Sequence, residues 1–310
     1  MIGVQAIGTY IPARRIDNRN RMDEFNIDET FLLDKTGMLG LSVKNENEET
    51  SDLCCKAFKD LIEKSGLKPE EVECVVVCTQ NPDGAGLPHT SAIVHGKLGL
   101  SDDCAVFDIS LGCSGFVYGL SVIQGFMQEN GFRKGVLFTA DPYSKIIDPK
   151  DRNSALLFGD AATATLISDT PIWQTGKFKF GSHGKQNSAI KNCNLNNRLE
   201  MNGRAVFSFS ATTVPQNIIS MLEANHLTVK DVDSFALHQG SRFIVDTISQ
   251  KLGAEEGQVP FVAADYGNTV SSSIPLLLNA IGKEAAKVVV GGFGVGLSWG
   301  STILFKVNQE

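Results

Sequence analysis

The sequence lacks the patterns that mark several common classes of protein. It contains no C-x-x-C pair and no H-E-x-x-H motif, and its 5 histidines are scattered, so we expect no metal site. No apolar run approaches the roughly 18 residues of a membrane-spanning helix. The N-terminus has no basic segment leading into a long apolar one, which is the pattern of a signal peptide. We therefore expect a cytoplasmic protein that does not use a membrane.

Positive charge is also scarce. The 310 residues include 28 Lys and Arg against 35 Asp and Glu, a formal net charge of -7, and no basic block or tail occurs. Nucleic acid is therefore not an expected partner. The 7 cysteines are an odd number without a repeated paired spacing. This usage fits a reducing compartment better than a disulfide framework.

What the sequence does contain is an internal repeat at the scale of half the chain. The first matched pair keeps one offset throughout, 227 − 67 = 160 residues. The second pair needs one added residue, and three matches in the same order indicate a duplication. The pairs are LKPEEVECVVVCTQ (67–80) with LTVKDVDSFALHQG (227–240), KLGLSDDCAVFDISLGC (97–113) with KLGAEEGQVPFVAADYGN (251–268), and GDAATATLI (159–167) with GLSWGSTIL (296–304).

The repeat predicts an α/β sandwich of two similar halves. Each half is expected to run strand, helix, strand, short connector, strand, long helix and two strands, with mainly parallel pairing. We divide the chain into halves 1–168 and 169–310, with the polar, Gly/Asn-rich segment 168–203 as their junction. The expected helices are 51–64, 114–129, 212–224 and 241–251.

The repeat also predicts which distant residues meet. Cys78 corresponds to His238, and Cys113 corresponds to Asn268. Two halves related by a pseudo-twofold axis bring equivalent strand ends together near that axis. We therefore expect Cys113 to approach His238 and Asn268, although they are 238 − 113 = 125 and 268 − 113 = 155 residues away.

Each of these three residues also has a simpler explanation. Cys113 could be a small core residue, His238 a buried core imidazole, and Asn268 a turn residue or helix cap. Together they also suit a catalytic site with a nucleophile and two hydrogen-bond donors. The free N–H groups and the macrodipole at the start of a long helix favour the thiolate form of a cysteine placed there. An imidazole N–H and an amide NH2 both donate to a carbonyl oxygen that becomes negative.

A glycine-rich stretch near the C-terminus could complete such a site. The segment GGFGVGLSWG (291–300) offers flexible backbone close to the expected axis. Its amides, including that of Val295, could form an oxyanion hole together with the amide of Cys113. The alternative is an ordinary glycine-rich turn between strands.

Four motifs in this order resemble the β-ketoacyl-[acyl-carrier-protein] synthase III family of thiolase-fold condensing enzymes. They are DISLGCSGF, LHQGSR, YGNTVSSSIP and GFGVGLSWGS, and the resemblance covers nearly the whole chain. It implies a five-layered αβαβα sandwich of duplicated halves, usually a homodimer. It also implies the catalytic triad Cys113, His238 and Asn268. No cofactor is implied, because acyl-coenzyme A and malonyl-acyl carrier protein are substrates.

The resemblance implies a two-step reaction. Cys113 would attack an acyl thioester and carry the acyl group. His238 and Asn268 would then hold the carbonyl of a malonyl group on acyl carrier protein while carbon dioxide leaves. The resulting enolate would attack the acyl-cysteine and give a 3-oxoacyl thioester. Phe293 stands where the family places a phenylalanine near the nucleophile.

The family's contacts to coenzyme A and to the carrier are only partly matched. Phe31 and Arg152 stand where the family clamps the adenine, whereas Lys35 replaces an arginine and lacks its planar guanidinium. Ser241 occupies the position of an asparagine that reaches the pantetheine channel. Arg242 is shifted by one position from the arginine expected to dock the carrier protein. A specialised member of the family is therefore one interpretation.

Three other functions are compatible with parts of the sequence. One is acyl transfer to an alcohol or amine without decarboxylation, and another is a non-catalytic subunit of a heterodimer. The pair His238 and Asn268 favours decarboxylation over simple transfer, and a complete triad argues against a non-catalytic subunit. Papain-like hydrolysis also orders Cys, His and Asn, but it leaves the repeat unexplained. The acyl donor stays open, because pocket length depends on side chains around Leu87, Leu157 and 185–205, and on a partner subunit.

Overall fold

The computed structural model describes residues 2–193, 196–281 and 284–307. No helix in this part of the chain is both long and apolar enough to cross a membrane. The helices are α1 (Met22–Phe25), α2 (Thr50–Ser65), α3 (Thr90–Leu98), α4 (Gly115–Asn130), α5 (Gly203–Ala224), α6 (Arg242–Leu252) and α7 (Ser273–Ala280). The strands are β1 (Gly3–Tyr10), β2 (Arg15–Asp17), β3 (Gly40–Ser42), β4 (Cys74–Cys78), β5 (Ala105–Ile109), β6 (Lys134–Ala140), β7 (Ala162–Ser168), β8 (Trp173–Thr175), β9 (Lys179–Ser182), β10 (Ile190–Cys193), β11 (Arg198–Met201), β12 (Ser234–Leu237), β13 (Lys287–Gly294) and β14 (Ser298–Lys306).

The main sheet consists of two half-sheets that meet at β8. Its order is β12-β13-β14-β8-β1-β7-β6-β4-β5, and β9 also pairs with β14. Helices α2 and α3 cover the outer face of the first half-sheet, and α5 and α6 cover that of the second. Helices α4 and α7 each contact strands of both half-sheets and lie between them. The layers are therefore helix, sheet, helix, sheet, helix, as the resemblance implies.

The apolar run CVVVC shows how the sequence builds these layers. Strand residues alternate between the two faces of a sheet, so a strand covered on both faces is apolar throughout. Val75 and Val77 of β4 join the core under α2 and α3, whereas Cys74 and Val76 join the central core around α4. Burial of both faces explains why this strand carries no polar residue.

The pairing is mixed, so the expectation of mainly parallel strands is wrong. Strand β4 runs parallel to β5 and β6, and β12 runs parallel to β13. The closing strand of each half, β7 or β14, pairs antiparallel with the strand before it. No α-helix lies between the two strands of either pair, and residues 295–297 between β13 and β14 are too few for the crossover that parallel neighbours need.

Three expected helices match the structure to within a residue or two, and the fourth does not. Helix α5 begins at Gly203 rather than near 212. Its start is fixed by Asn202, whose side-chain oxygen accepts the N–H of Ala205 at 3.1 Å. Pro215 consequently lies inside the helix and not in its first turn.

The polar segment 168–203 is more than a junction. It contains four short strands, and β8 and β9 extend the second half-sheet. Strand β8 also reaches β1 through the pair Val4 and Trp173, so it links the two half-sheets. The sequence did not predict these strands, because short and partly exposed strands have polar residues and no clear apolar pattern.

In the part of the second half that the structure describes, one strand and the long helix that the repeat predicts are missing. Residues 259–265, which correspond to β5, end in a 3-10 turn, Ala263–Asp265. Pro260 has no N–H for strand pairing, and the N–H of Val262 donates to the side chain of Gln239 at 3.0 Å. After Asn268 a second 3-10 turn and the short helix α7 replace a long helix.

Candidate active site

Cys113 lies two residues before α4 and is buried. Its backbone packs on β13 at Gly292, and its side chain packs on the same strand at Gly294. A Cβ atom on Gly292 would lie 2.9 Å from the carbonyl oxygen of Cys113, and one on Gly294 would lie 2.7 Å from its sulfur. Real Cβ contacts essentially never come this close. The glycines of GGFGVG therefore allow the cysteine loop to sit on the strand.

The sulfur of Cys113 is a thiol at neutral pH, so the expected resting thiolate is wrong. Burial, with a smaller contribution from the nearby carboxyl of Asp141, raises its pKa to about 12. Hydrogen bonding to the backbone N–H groups of Val295 and of Cys113 itself acts in the opposite direction. Loss of hydration outweighs these amides and the start of the helix. The two amides expected to form an oxyanion hole nevertheless lie against the sulfur.

His238 follows β12 directly and is buried at the same cavity. Its Nδ1 atom lies 2.7 Å from the hydroxyl oxygen of Ser273. The ring of Phe293 packs edge-to-face against the imidazole, with 5.5 Å between centroids. Burial lowers the pKa of His238 to about 3, and a weaker contribution from the Val270 carbonyl raises it. The imidazole is therefore neutral at physiological pH.

Asn268 connects the two halves through its backbone. Its N–H donates to the carbonyl of Leu157 at 2.8 Å, and its own carbonyl accepts from Gly159 at 3.0 Å. Its Oδ1 atom accepts the N–H of Val270 at 2.9 Å. Val270 has a φ of 53°, which is unusual for a β-branched residue. Because Oδ1 is occupied, the NH2 group of Asn268 is the part that faces the cavity.

One cavity of about 480 Å³ joins these side chains. Cys113, His238, Asn268 and Phe293 lie at its inner end, as the repeat and the resemblance predicted. Its walls are mostly apolar, and its opening carries aromatic and cationic side chains. The wall residues include Leu157, Phe158, Ile190, Met201, Val206 and Ile244, and the opening includes Phe31, Lys35, Arg152, Arg204, Phe207 and Phe243.

The three residues expected to contact coenzyme A all line this cavity. The guanidinium of Arg152 lies 4.8 Å from the ring centre of Phe31. The ammonium of Lys35 lies 3.8 Å from the ring centre of Phe243. Both contacts are cation–π pairs between side chains at the opening.

The remaining two contacts expected from the histidine motif differ in their positions. Ser241 lines the cavity and begins α6, where its hydroxyl accepts the N–H of Ile244 at 3.4 Å. Arg242 does not line the cavity. Its guanidinium lies 4.5 Å from the ring centre of Phe261, and its Cβ packs against Gly37. The shift of one position along α6 thus turns the arginine away from the opening.

Sequence reasoning missed the aromatic pair at the opening. Phe207 and Phe243 stack with 5.0 Å between ring centres, and both line the cavity with Arg204. Phe243 is the last residue of HQGSRF, so its distance from His238 could have indicated it. Phe207 lies in the first turns of α5, which the sequence placed too late.

The side chains expected to set pocket length are only partly at the cavity. Leu157 lines it, and so do Ile190 and Met201 from the segment 185–205; residues 194 and 195 of that segment lie outside the described residues. Leu87 does not line the cavity, and 94% of its surface is exposed. Its effect on the pocket therefore stays a prediction.

The arrangement combines a nucleophile with groups that stabilise a negative oxygen. All seven cysteines are free thiols. In the described ranges, no group of three or more His, Cys, Asp or Glu side chains is placed to hold a metal ion. The thiol of Cys113 can accept an acyl group, while the NH2 of Asn268 and a ring nitrogen of His238 face the same space.

Sequence comparisons match both halves of the chain. The profile for 3-oxoacyl-[acyl-carrier-protein (ACP)] synthase III matches residues 107–184, and the profile for its C-terminal part matches 222–305. A β-ketoacyl-[acyl-carrier-protein] synthase III of Lactococcus lactis subsp. cremoris is 32% identical, covering 95% of this chain and 96% of the relative. One from Aliarcobacter butzleri is 33% identical, covering 97% and 96%.

Solved structures of similar proteins superpose over nearly the whole chain. A β-ketoacyl-[acyl carrier protein] synthase III from Thermus thermophilus gives a TM-score of 0.91 at 30% identity, covering 99% of this chain and 100% of that one. A 3-oxoacyl-(acyl carrier protein) synthase III from Pseudomonas aeruginosa gives 0.90 at 27% identity, covering 100% and 99%. These similarities confirm the expected five-layered thiolase fold.

Proposed function

Because this chain belongs to the 3-oxoacyl-[acyl-carrier-protein] synthase III family, we propose that Cys113, His238 and Asn268 carry the condensing reaction of this enzyme. A condensing enzyme of this family is a transferase. The observation that supports the assignment most is geometric. A thiol from the first half and two hydrogen-bonding side chains from the second line the inner end of one cavity.

In the first step, the sulfur of Cys113 attacks the carbonyl carbon of an acyl thioester. A new bond forms between this carbon and the sulfur, the bond to the carrier sulfur breaks, and the thiol proton ends on the released carrier thiol. Since burial raises the pKa of Cys113 to about 12, the proton leaves during the attack and not before it. The amides of Val295 and Cys113 stabilise the negative oxygen of the intermediate.

In the second step, a malonyl thioester on acyl carrier protein loses its carboxylate as carbon dioxide. The electron pair of the broken carbon–carbon bond forms an enolate, whose oxygen accepts hydrogen bonds from Asn268 and His238. The enolate carbon attacks the acyl group on Cys113 and gives a 3-oxoacyl thioester. The bond between the acyl carbon and the sulfur breaks, and the released thiolate takes up a proton from water. Neutral donors suit this step because a carboxylate would repel the enolate. The buried ring of Phe293 favours the loss of the charged carboxylate.

The opening of the cavity is proposed to bind the carrier portion of each substrate. Phe31, Lys35 and Arg152 supply an aromatic surface and two positive charges for the nucleotide and phosphates of an acyl-coenzyme A. Arg204 adds a third positive charge at the same opening. Ser241 is placed to contact the pantetheine arm. Arg242 is left out of this proposal, because it stacks on Phe261 away from the cavity.

A homodimer is proposed on the basis of an exposed edge and an exposed loop. In the described residues, β5 pairs on one side only, with β4. Leu87 lies in the loop after β4 with nearly all of its surface exposed. An unpaired strand edge and an apolar side chain of this kind are expected to be covered in a stable assembly. Sedimentation of the purified protein would measure its mass in solution.

The function is tested by supplying the purified protein with malonyl-acyl carrier protein and a panel of acyl-coenzyme A donors. We expect an acyl adduct on Cys113, release of carbon dioxide and a 3-oxoacyl thioester, all measured by mass spectrometry and carbon dioxide detection. Acyl transfer to an added alcohol or amine with the malonyl group unchanged would support the non-decarboxylating alternative. Absence of any adduct from every donor would contradict the proposal and favour a non-catalytic subunit.

A further inference from the structure

Three consecutive serines follow Asn268 and are completely buried. Buried hydroxyl groups need hydrogen-bond partners, and each of these serines has a different one. In order, Ser271 Oγ donates to Asp141 Oδ2 at 2.7 Å, Ser272 Oγ donates to the carbonyl of Thr139 at 2.9 Å, and Ser273 Oγ lies 2.7 Å from His238 Nδ1. Ser273 is thus the one of the three that contacts a residue of the proposed triad.

The neutral state of His238 makes this contact important. A neutral imidazole carries one proton, so one ring nitrogen donates a hydrogen bond and the other accepts. Nδ1 faces Ser273, and Nε2 lies near Gly240, which lines the cavity. The proton must therefore be on Nε2 if His238 is to donate to a substrate oxygen.

The hydroxyl of Ser273 has a choice between two acceptors. It lies 2.7 Å from Nδ1 of His238 and 3.0 Å from the carbonyl of Val270, and the N–H of Gln239 points to its oxygen at 3.5 Å. If the hydroxyl proton goes to Nδ1, the imidazole keeps its own proton on Nε2. If it goes to Val270, Nδ1 must carry the ring proton and Nε2 faces the cavity as an acceptor.

We propose that Ser273 donates its hydroxyl proton to Nδ1 of His238 and thereby holds the imidazole proton on Nε2, facing the cavity. The contact to Nδ1 is the shorter of the two. The same segment orients the other donor, because the N–H of Val270 occupies Oδ1 of Asn268 and leaves its NH2 group for the cavity. Val270 and Ser273 would then orient two donors toward one substrate oxygen.

This inference rests on the proposed function, in which the enolate oxygen requires two donors during decarboxylation. Ser273 is a positioning residue, since it acts through His238 and does not itself line the cavity. Acylation of Cys113 uses the backbone amides instead. Removal of the Ser273 hydroxyl should therefore slow the second step far more than the first.

The test compares Ser273→Ala with Ser272→Ala, which removes the same atom from the neighbouring buried serine. For Ser273→Ala we expect the rate of carbon dioxide release from malonyl-acyl carrier protein to fall about a hundredfold, the usual effect of losing one such donor. The rate of Cys113 acylation should stay within about threefold of the wild-type rate. In Ser272→Ala the ratio of the two rates should equal that of the wild type.

Nitrogen NMR of protein labelled with ¹⁵N-histidine gives an independent readout on the wild type. We expect the proton of His238 on Nε2 in the wild type and on Nδ1 in Ser273→Ala, where only the Val270 carbonyl remains to accept it. A wild-type proton on Nδ1, or equal loss of both rates in Ser273→Ala, would overturn the inference. If the wild type releases no carbon dioxide, the proposed function fails, and the NMR result alone then decides the role of Ser273.

Discussion

The two halves of the molecule bring equivalent positions to the centre and use them for different purposes. In the first half, Cys78 ends β4 and is buried beneath α4, so tightly that a Cβ on Gly115 would overlap its sulfur. In the second half, the equivalent His238 lines the cavity. The residue at this strand end, Cys78, packs in the core of the first half, whereas its equivalent in the second half, His238, lines the proposed active site.

A second pair of equivalent positions shows why the halves diverged. Cys113 precedes the 16-residue helix α4 and is held by its backbone against β13. Asn268 precedes a 3-10 turn and the 8-residue helix α7, and its amide is held by a hydrogen bond from Val270. A nucleophile needs only a fixed and accessible sulfur. A donor must also be oriented, and the turn with its buried serines supplies that orientation.

The largest effect is expected when the two first-half cysteines of this comparison, Cys113 and Cys78, are replaced one at a time by alanine. Cys113→Ala should lower condensation at least about 1,000-fold, because no other group is placed to carry the acyl chain. Cys78→Ala should still form the acyl adduct, because Cys78 is packed beneath α4 and does not line the cavity. Intact-protein mass spectrometry after incubation with an acyl thioester measures both. An adduct that persists in Cys113→Ala would contradict the assignment.

The next largest effect is expected at the equivalent position of the second half. Asn268→Asp keeps an oxygen for the N–H of Val270 but places a carboxylate where the donor was. Decarboxylation of malonyl-acyl carrier protein should fall about 100- to 1,000-fold. Acylation of Cys113 should change much less. If the rates of acylation and decarboxylation fall by the same factor, acylation does not depend on the first half and decarboxylation on the second, as the comparison states.

Asp141 connects the two halves by hydrogen bonds, and its titration changes the stability of the folded protein. It directly follows β6 and accepts hydrogen bonds from the N–H of Gln80 in the first half and the hydroxyl of Ser271 in the second, both at 2.7 Å. Burial raises its pKa from 3.8 to about 6, so the folded state binds this proton more tightly than the unfolded state. This contribution to stability is complete below pH 3.8 and is lost as the pH rises to about 6.

Asp141→Asn should therefore gain stability relative to the wild type as the pH rises through this window. The expected gain is about 3 kcal/mol, roughly a hundredfold in the unfolding equilibrium. Chemical denaturation of both proteins at about pH 3 and about pH 7, on either side of the two pKa values, measures it. If the difference in the free energy of unfolding between the two proteins is the same at both pH values, the pKa of Asp141 is not raised by folding.

The smallest effect is expected from the contact between the cysteine loop and β13. Gly292→Ala places a Cβ 2.9 Å from backbone atoms of Cys113 and Ser114, so the loop must move. We expect acylation of Cys113 to slow about tenfold. Gly125→Ala is the matched control, because a Cβ there meets no atom within 4 Å. Equal acylation rates in the two variants would show that the loop does not depend on this contact.

Much of the fold and the proposed triad could be predicted because their signals are local or repeated. The repeat predicted two similar α/β halves, and it brought Cys113 together with His238 and Asn268. The sequence placed the start of α5 too late and did not predict β8–β11. These strands are short and polar, and they form only by pairing with other strands.

The sequence by itself predicted an α/β sandwich of two similar halves and which residue types meet at its centre, because apolar strands and the duplication can be read from the order of the residues. The five layers were implied by the family resemblance. Only the tertiary structure decided the chemical states of the residues at the centre. The thiol character of Cys113 and the neutrality of His238 come from burial that no local pattern encodes. The direction of the Asn268 amide and the position of Arg242 on Phe261 depend on hydrogen bonds and packing between elements that meet only in the folded chain.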